Sequence, residues 1–159
     1  MKTSILHAFI VLSLSSCMQV VFVSNPLTYE EHVNLGYIYE KQGKVELAEK
    51  EYKKAIRKNK KHWLAYYNLG NLYARRSEWD KAEEYYKKAL EFERDADVFN
   101  NLAYVLNEKG EHCEALFFVE KALKMEKKEE YIKTKEEVEK AIKTKNIKCS
   151  TPEGEWELG

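Results

Sequence analysis

The side chains best suited to chemistry are four histidines, and their spacing does not bring them together in one site. His7 lies in an N-terminal apolar stretch, whereas His32, His62 and His112 are far apart along the rest of the chain. A catalytic centre needs a nucleophile, a base and a stabilising group that converge on one point. The chain contains no HExxH, GxSxG or GxGxxG motif and no P-loop. We therefore expect a protein that is not an enzyme and that needs no cofactor.

Two further classes of ligand are disfavoured by spacing and charge. His112 and Cys113 are neighbours, but no second Cys/His pair stands at the spacing of a zinc site, so we expect no metal ion. The 27 basic residues are balanced by 27 acidic ones, which gives a formal net charge of zero. Nucleic-acid binders usually show a basic excess or a basic stripe. We therefore expect no nucleic-acid partner.

The next candidate for chemistry is Cys17, because it ends a sequence typical of exported proteins. Lys2 precedes an apolar run, Ile5 to Leu14, which has the length of a signal-peptide core and is too short to span a bilayer. Residues 14–17, Leu-Ser-Ser-Cys, resemble the bacterial lipobox, in which small residues precede a cysteine that receives lipid and becomes the mature N-terminus. The resemblance implies a signal peptide over 1–16, a lipidated Cys17, a tether over 17–28, and a membrane-anchored lipoprotein facing the periplasm or the cell exterior.

The apolar stretch Met18 to Val23 leaves two alternatives open, because lipoproteins often carry a polar tether at this place. Residues 5–23 are nearly long enough to act as an uncleaved membrane anchor. Ordinary secretion, or a misplaced start of the sequence, is the other alternative. The leading interpretations all export the part of the chain that follows.

Beyond residue 28 the chain repeats itself. Leu35-Gly36 recurs as Leu69-Gly70 after 34 residues and as Leu102-Ala103 after 33 more. A fixed order of large and small residues follows each pair: Tyr39, Tyr73 and Leu106; Ala48, Ala82 and Ala115; Tyr52, Tyr86 and Val119; Ala55, Ala89 and Ala122. This period and order resemble the tetratricopeptide repeat (TPR) family over residues 29–129.

The resemblance implies two helices in each repeat, and the residues agree with it. Leu35 and Tyr39 are four apart, on one face of a helix. Gly43, Ser77 and Gly110 fall where a left-handed residue would end each first helix. We predict repeats at about 29–62, 63–95 and 96–129, with helices over 29–42, 45–58, 63–76, 79–92, 96–109 and 112–125.

A stack of three repeats needs a polar-backed cap at its end. Residues 129–146 are rich in Lys and Glu and carry a thin apolar stripe that includes Tyr131 and Ile142. The prediction is an all-α, right-handed solenoid of three TPR helix pairs plus a C-terminal capping helix, over 29–147. Residues 148–159, which contain Trp156, are expected to form a flexible tail.

Cys113 and Cys149 form a candidate disulfide. In an exported protein disulfides persist. Helix 112–125 and the cap should run antiparallel, which returns Cys149 toward the start of that helix. The alternative is a free, buried Cys113 beside an idle thiol in the tail.

The TPR resemblance also implies where a partner would bind, because the first helices of the repeats line a concave groove. Some TPR proteins grip a C-terminal carboxylate there with lysines, an arginine and asparagines. Here Val33, Tyr37 and Asp97 occupy the places of that clamp and only Asn68 agrees, so we predict no such clamp. The full candidate set for the groove is Val33, Tyr37, Glu40, Tyr67, Asn68, Asn71, Ala74, Asn100, Asn101, Tyr104 and Asn107.

For function, the resemblance implies a protein–protein interaction scaffold or adaptor that binds a peptide segment or a partner helix. Its lipid anchor would hold it on the outer side of the cytoplasmic membrane or on the outer membrane. The alternative is a structural or accessory subunit of an envelope assembly complex, acting by homo-oligomerisation and not by peptide capture.

Overall fold

Helices are the regular elements of the computed structural model, which describes residues 26–149. The fold-class prediction of an all-α repeat protein is confirmed, and each predicted helix end lies within two residues of the observed one. The predicted signal peptide, Cys17 and Trp156 lie outside the described residues. The helices are α1 Tyr29–Lys41, α2 Val45–Lys58, α3 Trp63–Arg75, α4 Trp79–Leu90, α5 Ala96–Lys109, α6 His112–Met125 and α7 Glu129–Thr144.

Local sequence signals explain where the helices start and stop. Thr28 begins α1 with a capping box: its hydroxyl accepts from the Glu31 N–H at 3.2 Å, and the Glu31 carboxylate accepts from the Thr28 N–H at 2.7 Å. The turns inside the three helix pairs contain Gly43, Ser77 and Gly110, with φ of 71°, 57° and 87°. All three adopt the predicted left-handed conformation, which satisfies the carbonyls at the end of a helix.

The two helices of a repeat approach most closely where a glycine faces a tyrosine. A Cβ atom on Gly36 would lie 2.5 Å from the Tyr52 ring, and one on Gly70 would lie 2.5 Å from the Tyr86 ring. Both tyrosines are buried. The third repeat reaches a similar packing with a different pair, because the larger Ala103 is accompanied by the smaller Val119, and both are fully buried. Small and large residues therefore change together at this contact.

Successive repeats are joined by apolar packing and by a polar link around Glu49. Its carboxylate accepts hydrogen bonds from the Tyr73 hydroxyl at 2.8 Å and from the Arg76 guanidinium at 3.0 Å. Burial opposes ionisation, but these bonds and one from Lys53 lower the pKa of Glu49 to about 2. A depressed carboxyl pKa stabilises the fold above the ordinary pKa, and that stabilisation is lost as the pH falls toward 2.

The capping helix α7 is tied to α6 by a disulfide. Cys113, in the first turn of α6, is bonded to Cys149, and their Cα atoms lie 5.4 Å apart. Beside the disulfide, the Lys145 ammonium donates to His112 Nε2 at 2.9 Å. His112 Nδ1 in turn donates to the side-chain oxygen Oδ1 of Asn107 at 2.7 Å. Burial and the nearby Lys145 charge lower the pKa of His112, which keeps this imidazole neutral. The bond therefore anchors the start of the predicted tail near α5.

We predict that Gly70→Ala destabilises the domain by about 1–3 kcal/mol, because the new methyl group would overpack the Tyr86 ring. In a Tyr86→Val background, which reproduces the Ala103/Val119 pair of the third repeat, the same change should cost much less. Urea unfolding of the four proteins in this double-mutant cycle measures the coupling. An equal cost of Gly70→Ala in both backgrounds would refute the packing argument.

We also predict that Cys149→Ser lowers the free energy of unfolding by roughly 3–4 kcal/mol, because the bond closes a loop with a sequence separation of 36 residues. Reduced wild-type protein should match this variant in thermal melting, and the variant should be insensitive to reductant. Cys17→Ser is the matched control and should melt like the wild type. A reductant effect that persists in Cys149→Ser would rule out this bond as its source.

Candidate functional site

The predicted partner-binding residues lie on α1, α3 and α5, the first helices of the three pairs. At their centre is a group of hydrogen-bonded side chains, which we call the amide cluster: Tyr67, Asn71, Tyr86 and Asn101. The Asn71 carbonyl oxygen accepts from the Tyr86 hydroxyl at 2.7 Å and from Asn101 Nδ2 at 3.1 Å. Asn101 Nδ2 also lies 3.3 Å from the Tyr67 hydroxyl oxygen, which accepts from it. The cluster therefore joins α3, α4 and α5.

Burial gives the Tyr86 end of the amide cluster a low-dielectric setting, whereas its other three members are half-buried. Tyr86 is 2% exposed, and burial raises the pKa values of both Tyr67 and Tyr86. Both phenols therefore stay protonated. Hydrogen bonds in such surroundings hold their geometry, because an unpaired polar group would be costly there.

Asn100 stands next to the cluster and has an unused acceptor. Asn100 Nδ2 donates to the side-chain oxygen Oδ1 of Asn101 at 3.4 Å, and Asn100 is 8% exposed. Its Oδ1 atom is the one buried side-chain polar atom within residues 26–149 that has no hydrogen-bond partner. A buried acceptor left without a donor costs about 1–3 kcal/mol. Native proteins keep few such groups, and each needs an explanation.

Two exposed tyrosines lie in the first and third repeats. Tyr37 in α1 is 52% exposed, and Tyr104 in α5 is 41% exposed. The Lys41 ammonium lies 5.0 Å from the centroid of the Tyr37 ring. Trp79 packs edge-on against Tyr104, with ring centroids 6.1 Å apart. Sequence analysis missed Trp79, because it belongs to a second helix and no repeat position signals its contact with α5.

The prediction that Val33 and Asn100 present their side chains to a partner needs correction, because both are buried. Val33 is 4% exposed and belongs to the hydrophobic core, so it offers almost no surface. Helical spacing alone could not distinguish a groove position from one turned toward the second helix. The remaining half-buried candidates are Glu40, Tyr67, Asn68, Asn71, Ala74, Asn101 and Asn107.

Glu40 is already engaged in a link between repeats. Its carboxylate accepts from the Tyr52 hydroxyl at 2.9 Å and pairs with Arg75 at 2.6 Å. The Arg75 side chain is 55% exposed and was not a sequence candidate. It adjoins the groove only because α3 packs beside the first repeat.

Carboxylates lie at the C-terminal side of the candidate groove, and one of them, Asp97, is paired with Lys128. Asp97 accepts from Lys128 at 2.7 Å and from the Tyr131 hydroxyl, and although burial opposes it, these bonds lower the pKa of Asp97. Burial and the nearby Glu108 and Glu137 carboxylates raise the pKa of Tyr104. An ionised Asp97 therefore occupies the position where a carboxylate clamp would have a cation.

Residues 26–149 contain no cluster of three or more His, Cys, Asp or Glu side chains arranged to hold a metal ion. None of the helices in that range combines the length and the apolar character needed to cross a bilayer.

Comparisons with known proteins identify the repeats. A family model described as tetratricopeptide repeat matches residues 33–98, and another with the same description matches residues 96–129. No curated protein sequence matches this chain significantly.

Several solved structures share the fold at low sequence identity. The first TPR domain of Spaghetti (RPAP3), bound to the HSP90 peptide SRMEEVD, has a TM-score of 0.71 and 19% identity, covering 73% of this chain and 94% of that one. The N-terminal domain of stress-induced protein-1 from C. elegans has a TM-score of 0.63 and 21% identity, covering 70% and 94%. YrrB, described as a TPR protein with an unusual peptide-binding site, has a TM-score of 0.66 and 20% identity, covering 74% of this chain and 60% of that chain.

Family models and structural neighbours agree on the same helix pairs. Proteins of this fold are typically scaffolds that bind other proteins and are not enzymes. With its repeats matched over residues 33–129, this chain belongs to the tetratricopeptide repeat family.

Proposed function

We propose that this protein is an adaptor that captures an extended or helical segment of a partner protein along α1, α3 and α5. The observation that carries the proposal is the pair of exposed tyrosines, Tyr37 in the first repeat and Tyr104 in the third, with the half-buried amides of Asn71 and Asn101 between them. Flat aromatic rings contact apolar side chains at little entropic cost, and amides bond a peptide backbone.

The charges favour a different kind of ligand from the acidic peptide in the Spaghetti structure. At the clamp places this chain has Val33, Tyr37 and Asp97, and only Asn68 agrees with a carboxylate clamp. Glu108 and Glu137 would repel a C-terminal carboxylate near Tyr104, and Asp97 is already paired with Lys128. The partner segment is therefore neutral or mildly basic around Tyr104, is recognised through apolar and amide contacts, and binds with weak salt dependence.

The proposed adaptor acts at a membrane surface outside the cytoplasm. The basis is the sequence of residues 1–17, in which an apolar run leads into Leu-Ser-Ser-Cys. Cleavage before Cys17 would leave a cysteine carrying two or more acyl chains. At about 0.8 kcal/mol for each buried CH₂, two chains anchor a protein stably whereas one does not. The groove would then meet its partner in the periplasm or at the cell surface.

The groove is tested by panning a random-peptide library on the protein and measuring the affinity of an enriched peptide. Tyr37→Ala with Tyr104→Ala should weaken binding by about tenfold or more, because exposed aromatics are typical interface hot spots. Ile132→Ala is the matched control: Ile132 is 47% exposed on α7, outside the groove, and the change should leave the affinity intact. Tyr67 is left unchanged because its ring and hydroxyl support the amide cluster.

In the same assay, Asn100→Leu should raise the melting temperature and leave the peptide affinity intact, because it removes a buried, unsatisfied acceptor that a partner cannot reach. Equal affinity of the Tyr37→Ala, Tyr104→Ala double variant and the wild type, or a steep loss of binding with added salt, would exclude the two tyrosines as the recognition surface.

The anchor is tested separately by metabolic labelling with a fatty-acid analogue in a bacterial host. Wild-type protein should be labelled, and Cys17→Ser should not, because the thiol is the acceptor of the lipid. Cys149→Ser should be labelled like the wild type and controls for loss of a cysteine elsewhere. Equal labelling of wild type and Cys17→Ser, or no labelling of either, excludes a lipid on Cys17.

A further inference from the structure

In the candidate groove, Tyr104 of α5 is an exposed ring that a second ring holds in place. Trp79, at the start of α4, packs edge-on against it, with ring centroids 6.1 Å apart and an interplanar angle of 80°. Tyr104 nevertheless remains 41% exposed. A ring that a neighbour already fixes loses little entropy when a partner binds, which is typical of an anchor residue in an interface.

The repeat register provides a comparison for this ring, because Tyr104 occupies the position that Tyr37 has in the first repeat. In α1 the residue four positions after the tyrosine is Lys41, whose ammonium lies 5.0 Å from the centroid of the Tyr37 ring. The equivalent residue of α5 is Glu108. Among residues 26–149, no ammonium or guanidinium group lies over the Tyr104 ring. The described part of the chain therefore supplies a cation for one exposed tyrosine of the groove and not for the other.

Glu108 is also an unusual residue for its place in a helix. It lies in the last turn of α5, where the helix dipole favours cations and where the corresponding residues of α1 and α3 are Lys41 and Arg75. The neighbouring Lys109 does not neutralise Glu108, because its ammonium is already paired with three other carboxylates. Departures of this kind from a local preference are expected at functional sites.

A second carboxylate lies near the same ring and belongs to the capping helix. Glu137 of α7 is exposed, and burial, Glu108 and Glu137 together raise the pKa of Tyr104. Lys133 and Lys140 stand about one turn from Glu137 along α7, yet within the described part of the chain Glu137 forms an ion pair with neither. Two acidic side chains without a cation of their own therefore flank an exposed aromatic ring.

We propose that the Tyr104 ring binds an arginine side chain of the partner segment, with Glu108 and Glu137 as its counter-ions. The contact belongs to the groove of the proposed adaptor, and the proposal therefore rests on that function. A guanidinium suits a ring beside carboxylates because it is planar, stacks on aromatic faces and donates paired hydrogen bonds to a carboxylate. A lysine ammonium is more strongly hydrated and has no plane to stack. Because only one cation of the segment is involved, added salt weakens binding only modestly.

The test pans the random-peptide library on the wild-type protein and, in parallel, on Glu108→Lys. This variant reproduces the Tyr37–Lys41 pair of the first repeat, so the chain itself would then supply the cation. Peptides selected by the wild type should share an arginine, and those selected by Glu108→Lys should not. Replacing that arginine by citrulline, which keeps the shape and removes the charge, should weaken binding to the wild type by about tenfold and binding to Glu108→Lys by less than about twofold.

The second carboxylate is tested with a matched pair of variants on α7. Glu137→Gln should weaken binding of the arginine peptide by about threefold or more, because it removes a counter-ion. Glu136→Gln removes the same charge from the neighbouring exposed residue and should leave the affinity unchanged. Equal losses for the two variants would show a general effect of net charge and would overturn the proposal.

The outcomes for the peptides separate the arginine contact from the adaptor function. Selected peptides without a shared arginine, or equal affinity of the arginine and citrulline peptides for the wild type, would overturn the arginine contact and leave peptide capture in the groove intact. Failure of the wild-type protein to select any peptide would overturn both.

Discussion

The close approach of the two helices in each repeat is the constraint on which the rest of the structure depends. At Gly36 and Gly70 the approach leaves no room for a Cβ atom beside the facing tyrosine ring. Where Ala103 brings a Cβ atom, the facing residue is a valine. Interiors as densely packed as these respond to single methyl groups. The distance between paired helices, and with it the stacking of one pair on the next, is therefore set by a few small residues.

The contact between glycine and tyrosine also positions polar side chains on the first helices. Tyr52 and Tyr86 pack against a glycine, and their hydroxyls donate to Glu40 and Asn71. The third repeat has a valine at this place and no hydroxyl to offer, and there Asn107 is bonded by His112 instead. Core packing and groove chemistry are thus coupled through one residue type. A change in the core tyrosines would therefore alter the side chains that we propose as the partner-binding surface.

The two ends of the helix stack are covered to different extents. At the C-terminal end α7 packs Tyr131 and Val138 into the core and turns Lys and Glu residues outward. The disulfide holds the far end of this cap near the start of α6. At the other end Ile38 and Leu47 remain partly exposed. A repeat buries its apolar faces only by stacking on neighbours, so each end needs a cover of its own.

By itself the sequence determined the all-α class, the helix bounds and the left-handed turns, because periodicity, capping residues and glycine positions are local signals. It also predicted the Cys113–Cys149 disulfide, because α6 and the capping helix were expected to run antiparallel. What it could not decide was accessibility: spacing placed Val33 and Asn100 toward a partner, and the structure buries both. Likewise, the amide cluster and the Arg75–Glu40 pair bring together residues about 30 positions apart. The exposed face of α1 arises because no described helix packs against it. Such features depend on how whole repeats pack, and only the tertiary structure contains that information.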